Sequence, residues 1–392
     1  MSRQAVVAGE FGQLTDTASA FAAENPLLVA AGGVLLLALL VFAVRAGTPR
    51  LRRHPSSKFC KQLARYDEVT VLMHPNPDPD AMACAAAVEF LAESVGTRAT
   101  LQYPGKIRHQ ENRAFETVLD LELVHIDTAG DLASENVVLV DHNVPRGFNG
   151  ASGIVPFAVI DHHPGTGTGT AFTDCRTAYG ACSTILAEYL DEQGYEPDRE
   201  DADVEKPVPR TLATGLLYGI QADTKHLTKG CSAAEFRACS FLFPGVDEDS
   251  LDRIANPQVG ANVLKIKARA ITECDLDHPP FAVSDVGNVD IVDAIPQAAD
   301  ELVRLEGFTA VVVLGSSNGT IHISGRSRDD RVHMGKTLQE VVNDIPMSSA
   351  GGHARMGGGQ VSVEHMEGIG PRKGMNREEL IDRLYDGMAG EL

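Results

Sequence analysis

The stretch that most limits what this chain can become is His74-Pro75-Asn76-Pro77-Asp78-Pro79-Asp80-Ala81. It follows Val69-Thr70-Val71-Leu72-Met73, an apolar, β-branched run that reads as a buried strand. It precedes Met82 to Leu91, an alanine-rich segment that reads as a helix. One imidazole and two carboxylates therefore stand in a turn at the C-terminal end of a strand, the edge at which open α/β sheets bind ligands. Three prolines stiffen the turn and cannot propagate a helix. A rigid His-x3-Asp-x-Asp loop suits a hard divalent cation, because carboxylate and imidazole are ligands for manganese or magnesium. A polar turn with an Asp as helix cap explains the same residues equally well. The rest of the chain has to decide.

From about Tyr66 strands and helices alternate, which indicates a parallel α/β sheet. A strand around Arg98 to Gln102 is followed by a helix near Asn112 to Leu119. The apolar run Asn136 to Val140 ends in Asp141-His142-Asn143, and Phe157 to Ile160 ends in Asp161-His162-His163. Helices are expected over Ala181 to Leu190 and from Arg210 to near Asp223, which adds an isolated carboxylate. Each polar cluster falls where a strand stops, so the clusters can converge on one sheet edge. Between them Gly165-Thr166-Gly167-Thr168-Gly169-Thr170 reads as a flexible connection, with a lid over the site as the alternative.

A helical linker is expected from about Leu251 to Glu273, and then a second α/β unit with strands at Phe281 to Ser284, Ala310 to Leu314 and Thr320 to Ser324. Two glycine-rich features stand in it, Ser324-Gly325-Arg326-Ser327-Arg328 and Gly351-Gly352-His353-Ala354-Arg355. Both combine cations with backbone N–H groups that, in a loop, are available to phosphate oxygens, although such stretches are also ordinary turns.

The 392 residues suffice for two or three domains, and the net charge of −20 argues against a basic track for long nucleic acid. It is compatible with a small anionic substrate held by local cations and metals. The seven cysteines form no C-x-x-C pair and are expected to be reduced, mostly in the core. Leu27 to Val44 is an uninterrupted apolar run within the ~17–25 residues that span a bilayer. Arg45, Arg50, Arg52 and Arg53 follow it, which places the body in the cytoplasm by the positive-inside rule. A cleaved signal peptide is the alternative, with its charges the wrong way round. The expected organisation is a tail (1–26), a transmembrane helix (27–44), a basic linker (45–65), a metal-binding catalytic domain (66–250), a helical linker (251–274) and a substrate-binding domain (275–392).

With His74, Asp78, Asp80, Asp141, Asp161, His162, His163 and Asp223 in this order, and Gly351-Gly352-His353 behind them, the chain resembles the DHH/DHHA1 phosphoesterase superfamily. The resemblance implies a two-lobed α/β fold and two manganese ions, with magnesium as the alternative. It implies that His74, Asp78 and Asp141 hold one ion, and that Asp80, Asp141, His162 and Asp223 hold the other. Two such cations share a water, lower its pKa and clamp an in-line displacement at phosphorus. Asp141, Asp161 and His163 are the catalytic candidates, Asp161 orienting the histidines and His163 contacting phosphate or the leaving oxygen. A purely structural part for Asp161 and His163 is the alternative. Arg326, Gly351, Gly352 and His353 stand where the family binds substrate.

The implied function is a membrane-anchored phosphoesterase for short nucleotides such as oligoribonucleotides, adenosine bisphosphate or cyclic di-AMP, and a homodimer is compatible with it. Asp141-His142-Asn143 is instead similar to manganese pyrophosphatases, although their Arg-Lys-Lys type signature is absent from the second lobe. A nucleotide sensor with a spent site is the third reading.

Overall fold

The computed structural model describes residues 54–107, 109–199, 203–366 and 375–392. The expected transmembrane segment, residues 27–44, lies outside them. No helix among the described residues is long and apolar enough to cross a membrane.

The first part of the chain runs α1 (Pro55–Leu63), β1 (Glu68–Leu72), α2 (Pro79–Glu93), β2 (Arg98–Pro104), α3 (Gln110–Val118), β3 (Leu123–Ile126), β4 (Val137–Val140), β5 (Ala158–Asp161), β6 (Phe172–Cys175) and α4 (Cys182–Glu192). A two-residue pair, β7 (Glu196–Pro197) and β8 (Pro207–Val208), precedes α5 (Arg210–Asp223) and α6 (Ala233–Leu242). The sheet has the order β3-β2-β1-β4-β5-β6. Strand β1 pairs in parallel with β2 and β4, and β4-β5-β6 continue in parallel. All four residues of β4 and of β5 are buried, which is why these strands are continuous apolar runs rather than alternating ones. The strand order reverses between β1 and β4, and such a switch point opens a crevice at the carboxyl ends of its strands. His74 and Asp141 follow those two ends.

The second part comprises α7 (Glu248–Ala255), α8 (Ala261–Thr272), β9 (Cys274–Asp275), β10 (Phe281–Asn288), α9 (Ala294–Leu302), β11 (Ala310–Ser317), β12 (Thr320–Ser327), α10 (Met334–Val342), β13 (Ser349–Gly352), β14 (Met356–Ser362) and α11 (Arg377–Ala389). Its mixed sheet has the order β13-β14-β12-β11-β10-β9, with β10 and β11 parallel and the other neighbours antiparallel. Successive residues of β11 feed opposite cores, as the two-residue period of a strand requires. Val311 and Val313 pack with Ile266 and Ile295, whereas Val312 and Leu314 pack with Leu338 and Leu384.

The chain divides into two compact units. One holds the described residues through His74, Ala83–Gln102 and Ile126–Gly245. The other holds Val246–Leu392 with the short segments Pro75–Met82 and Tyr103–His125. Helix α2 and strand β2 each run through both groupings, so the His74–Asp80 loop is tied to the first sheet by chain continuity.

Several expectations change. Residues 55–63, assigned to a basic linker, form α1, whose Phe59 and Leu63 are fully buried, with Phe59 against Phe172 and Tyr189. Apolar side chains three and four apart, not the neighbouring cations, decided that segment. Helix α2 starts at Pro79 rather than Met82, because proline is well suited to the first helical position. Ser324 to Ser327 are not a loop: they lie in β12, between β11 and β14, where the ladders take up backbone N–H groups. Only Cys60, Cys84 and Cys182 are buried, and Cys175 is exposed; all seven are free thiols.

Leu139 lies at the centre of β4, fully buried against Leu72, Ile126 and Val159. Leu139→Ala is expected to lower unfolding stability by ~2–5 kcal/mol, read as a lower urea midpoint at unchanged slope.

Candidate metal centre

The loop after β1 is shaped by its punctuation. Met73 N–H still donates to Gln102 O (2.9 Å), and the chain then leaves the sheet. Asn76 takes a left-handed φ of 55°, and its side-chain oxygen accepts Lys106 N–H at 2.9 Å. Asp78 Oδ1 accepts Ala81 N–H at 3.1 Å, so Asp78 does cap α2. The same residue offers a ligand atom within 4.8 Å of those of His74 and Asp141. One side chain thus caps the helix and stands in a candidate ligand group. Asp80, fully buried, lies in the first turn of α2, where the helix dipole favours a carboxylate.

Asp141 is the hub. It follows β4 with a left-handed φ of 60°, a conformation of order 1–3 kcal/mol above the usual basins for a non-glycine residue. Its N–H donates to Ile160 O (3.0 Å), and its side chain is almost wholly buried. Oδ2 lies 3.4 Å from His74 Nε2, while Oδ1 lies 3.3 Å from His162 Nε2 and 3.6 Å from His163 Nδ1. Burial pushes the Asp141 carboxyl up, but the His162 and His74 imidazoles outweigh it and hold it well below the usual carboxylate range. His162 Nε2 also lies 3.2 Å from Asp223 Oδ2, in the last turn of α5. The ligand atoms form three close groups: His74, Asp78 and Asp141; Asp80, His162 and Asp223; and Asp141, His162 and His163.

These residues fit divalent cations on a direct observation. Asp141 Oδ1 is buried and makes no hydrogen bond, although an imidazole nitrogen lies 3.3 Å away. A buried carboxylate oxygen without a bonded donor is costly, and a cation between ligand atoms removes that cost. His162 Nδ1 faces Tyr179 O at 3.2 Å; donation of that N–H to the carbonyl leaves Nε2 as the lone pair on the Asp141 and Asp223 side. The donor set of carboxylates and imidazoles suits manganese or magnesium.

Asp161 is built for a different task. It is fully buried; Oδ1 accepts the N–H groups of His162 (2.8 Å) and His163 (3.0 Å) and faces His163 Nδ1 at 3.0 Å. Oδ2 accepts Asn143 Nδ2–H at 2.6 Å. Burial raises the Asp161 carboxyl, and the bonds from His163 and Asn143 overcome this and lower it. The bond to Asp161 in turn raises the half-exposed His163 against the opposing effect of burial. His142, the middle residue of Asp141-His142-Asn143, is 2% exposed and bonded through Nδ1 to Val140 O (2.9 Å). Burial pushes its imidazole down to about 4, so it packs as a neutral ring.

Three supports escaped the sequence reading. Arg176 pairs with Asp174 (2.7 Å) and Glu188 (2.5 Å) and donates to Tyr179 Oη (3.2 Å), which steadies the turn whose carbonyl meets His162. Glu235, fully buried, accepts Gly180 N–H at 2.9 Å while closing the capping box with Ser232. A Cβ at Gly180 would stand 2.6 Å from Gly230 O, so this approach requires glycine. The Ser232-x-x-Glu235 spacing was readable as a helix start, but its reach to Gly180 was not.

In the second unit Arg326 is held by Asp300, at 2.5 and 3.3 Å, and donates to Ser324 Oγ at 3.0 Å. Gly351 and Gly352 belong to β13, an edge strand paired with Gly358 and Gly357 of β14. His353 is exposed, and its N–H donates to Met356 O. A cavity of about 390 Å³ lies over this sheet, lined by Gly351 and Ser324 with His322, Gln360 and Asp293; Arg326, Gly352 and His353 do not line it.

Residues 68–220 match the DHH family, N-terminal domain, and residues 278–369 match the DHHA1 domain, together more than half of the chain. The uncharacterized protein MJ1633 of Methanocaldococcus jannaschii is 29% identical over 334 residues, 83% of this chain and 66% of its own length. Cyclic-di-AMP phosphodiesterase GdpP of Geobacillus thermodenitrificans is 27% identical over 309 residues, 72% of this chain and 44% of its own. A probable manganese-dependent inorganic pyrophosphatase of Streptococcus agalactiae is 23% identical over 310 residues, 74% of this chain and 94% of its own. The chain thus spans just under two thirds of the first relative and under half of the second.

Asp141→Asn is expected to reduce Mn²⁺ affinity at least tenfold in a calorimetric titration, because both His74 and His162 face this carboxylate. Asp161→Asn should retain binding, since its oxygens are committed to His162, His163 and Asn143. Equal loss in both variants would remove the distinction between the two carboxylates.

Proposed function

We propose that this chain, a member of the DHH/DHHA1 family of hydrolases, is a manganese-dependent phosphoesterase acting on short nucleotides. The observation that carries the reading is the shared hub: Asp141 stands between His74 and His162, in two of the three close ligand groups. In this reading His74, Asp78 and Asp141 hold one ion, and Asp80, Asp141, His162 and Asp223 hold a second. Two divalent cations supply charge neutralisation at the phosphate oxygens and an acidified water.

The protein's own groups do the rest. Tyr179 O and Asp161 fix the two imidazoles, so the ligand set needs little reorganisation. His163, with Nδ1 bonded to Asp161, turns its remaining ring nitrogen to a phosphate oxygen or to the leaving oxygen. The bond between Nδ1 and the Asp161 carboxylate supports the protonated ring that such donation needs.

Similarity to GdpP supports cyclic di-AMP or its linear product pApA as substrates, beside oligoribonucleotides and adenosine 3′,5′-bisphosphate. The net charge of −20 supports a short substrate over long nucleic acid. The apolar run at residues 27–44 supports a single membrane anchor with the body in the cytoplasm. Pyrophosphate hydrolysis is the second reading, favoured by Asp141-His142-Asn143 and by the pyrophosphatase relative. The burial of His142 weakens it as a direct substrate contact.

The test is a side-by-side assay of the full chain with Mn²⁺ on pApA, cyclic di-AMP, adenosine 3′,5′-bisphosphate and pyrophosphate. Nucleotide cleavage should fall at least 10²-fold in His163→Ala, the range for removing a positioned acid–base group. Turnover of pyrophosphate alone would replace this reading by the second. Chelation should abolish activity, and Mn²⁺ should restore it.

A further inference from the structure

The run Gly165-Thr166-Gly167-Thr168-Gly169-Thr170 has the composition of a mobile connection, yet the structure packs it down. Gly165 and the threonines at 166, 168 and 170 are exposed, while Gly167 and Gly169 are half-buried. None of the three glycines has a left-handed φ, so their backbone conformations are open to any residue. What they require is space. A Cβ at Gly165 would stand 2.2 Å from Asn143 Oδ1 and 2.4 Å from Nδ2. One at Gly167 would stand 1.6 Å from Asn143 O, and one at Gly169 2.3 Å from Phe172 O. The strap therefore rests on the side chain of Asn143 at one glycine and on its backbone at the next.

Asn143 is the residue that completes Asp161. Its Nδ2–H groups reach Asp161 Oδ2 at 2.6 Å and His163 O at 3.4 Å. With Oδ1 already facing His163 Nδ1 and two backbone N–H groups, Asp161 is held at both oxygens and cannot rotate without losing bonds. The contacts form one series: glycine strap, Asn143 amide, Asp161 carboxylate, His163 ring.

We propose that the glycines at 165 and 167 form a positioning element that aims His163, acting through the Asn143 amide and the Asp161 carboxylate. Asn143 and the strap glycines touch neither metal nor substrate in this account; they act through His163. The inference rests on the reading of His163 as the group that faces the phosphate, and it adds the residues that set its direction.

The two clashes differ in kind, and that difference provides the test. The three atoms nearest to a methyl group at 165 all belong to the Asn143 side chain, whereas the two nearest to one at 167 belong to its backbone. Gly165→Ala and Asn143→Ala should each lower kcat on the cleaved nucleotide by ~10–100-fold, the range for partners that orient a functional group. KM and Mn²⁺ affinity should stay within about threefold of wild type, below that range. In the double variant the obstructing amide is gone, so Gly165→Ala should cost nothing beyond Asn143→Ala. Gly167→Ala should remain costly in both backgrounds, while Thr166→Ala and Thr168→Ala should match wild type. Multiplied losses in the Gly165/Asn143 double variant would overturn the proposal, as would loss of Mn²⁺ binding in Gly165→Ala. If Gly165→Ala alone does not fold, the double variant still must fold and match Asn143→Ala.

A second readout needs no turnover. Ring-nitrogen NMR of the metal-free protein should show the His163 Nδ1–H held in its bond to Asp161 in the wild type and in Thr166→Ala, the bond that the neutral Nδ1–H ring and the protonated ring share. Gly165→Ala and Asn143→Ala should mix the tautomers. Identical ring spectra in wild type and Gly165→Ala would sink the strap even if every nucleotide were cleaved. An altered spectrum in a chain that cleaves none would leave the strap standing and remove the proposed function instead.

Discussion

The structure depends on one carboxylate placed where a carboxylate is expensive. Asp141 is almost fully buried, in a left-handed backbone conformation, between the Nε2 atoms of two histidines from different strand ends. Burial and backbone strain both work against that position. The compensation is electrostatic, from the two imidazoles, and Oδ1 has no hydrogen bond of its own, which is the position the proposed cations would fill. Strand order explains why so costly an arrangement occurs here. The reversal between β1 and β4 separates the flanking connections, and residues just past those two strands meet over the gap.

Around this hub the protein spends more residues on aim than on ligation. His162 is set by the Tyr179 carbonyl, whose turn is fixed by the Arg176 network and, through Gly180, by Glu235. His163 is set by Asp161, and Asp161 by Asn143. Each imidazole thus has its Nδ1 committed, and the tautomer that follows decides what Nε2 can do. The adjacent histidines diverge in consequence: one turns Nε2 to Asp141 and Asp223, while the other is half-exposed with Nδ1 on the Asp161 and Asp141 side.

Much of this was readable in the sequence because parallel strands buried on both faces leave so strong a pattern. Val137–Val140 and Ala158–Asp161 are continuous apolar runs that stop in charged residues, and both the strands and the clustering of their termini followed from that. What could not be read depends on contacts remote in sequence. Glu235 reaches Gly180 across 55 residues, and no local pattern distinguishes that carboxylate from one that only caps its helix. The linker assignment of residues 55–63 failed because cations flank Phe59, whose burial against Phe172 and Tyr189 comes from elsewhere in the fold. The glycine run misled for a further reason. Composition reports conformational freedom, whereas these glycines serve close approach, and only the neighbouring backbone distinguishes the two.

The second unit invites the same caution about glycine and arginine. In sequence, Arg326 beside Gly325 looks like a cation presented on a flexible loop. In the fold Gly325 lies within the ladder of β12, where a Cβ would stand 2.2 Å from Met334 Sδ, so it is there to admit α10. Arg326 is only partly exposed and spans Asp300 and Ser324. An arginine already neutralised by a carboxylate offers a phosphate less than a free one, unless the carboxylate is displaced or its remaining N–H groups suffice. In a chain of net charge −20 this matters, because general attraction works against any anionic substrate. The attraction has to be local, and the buried acidic hub turns from an obstacle into its source only when cations occupy it. In the proposed reading, metal binding and substrate binding are therefore coupled by charge before any chemistry begins.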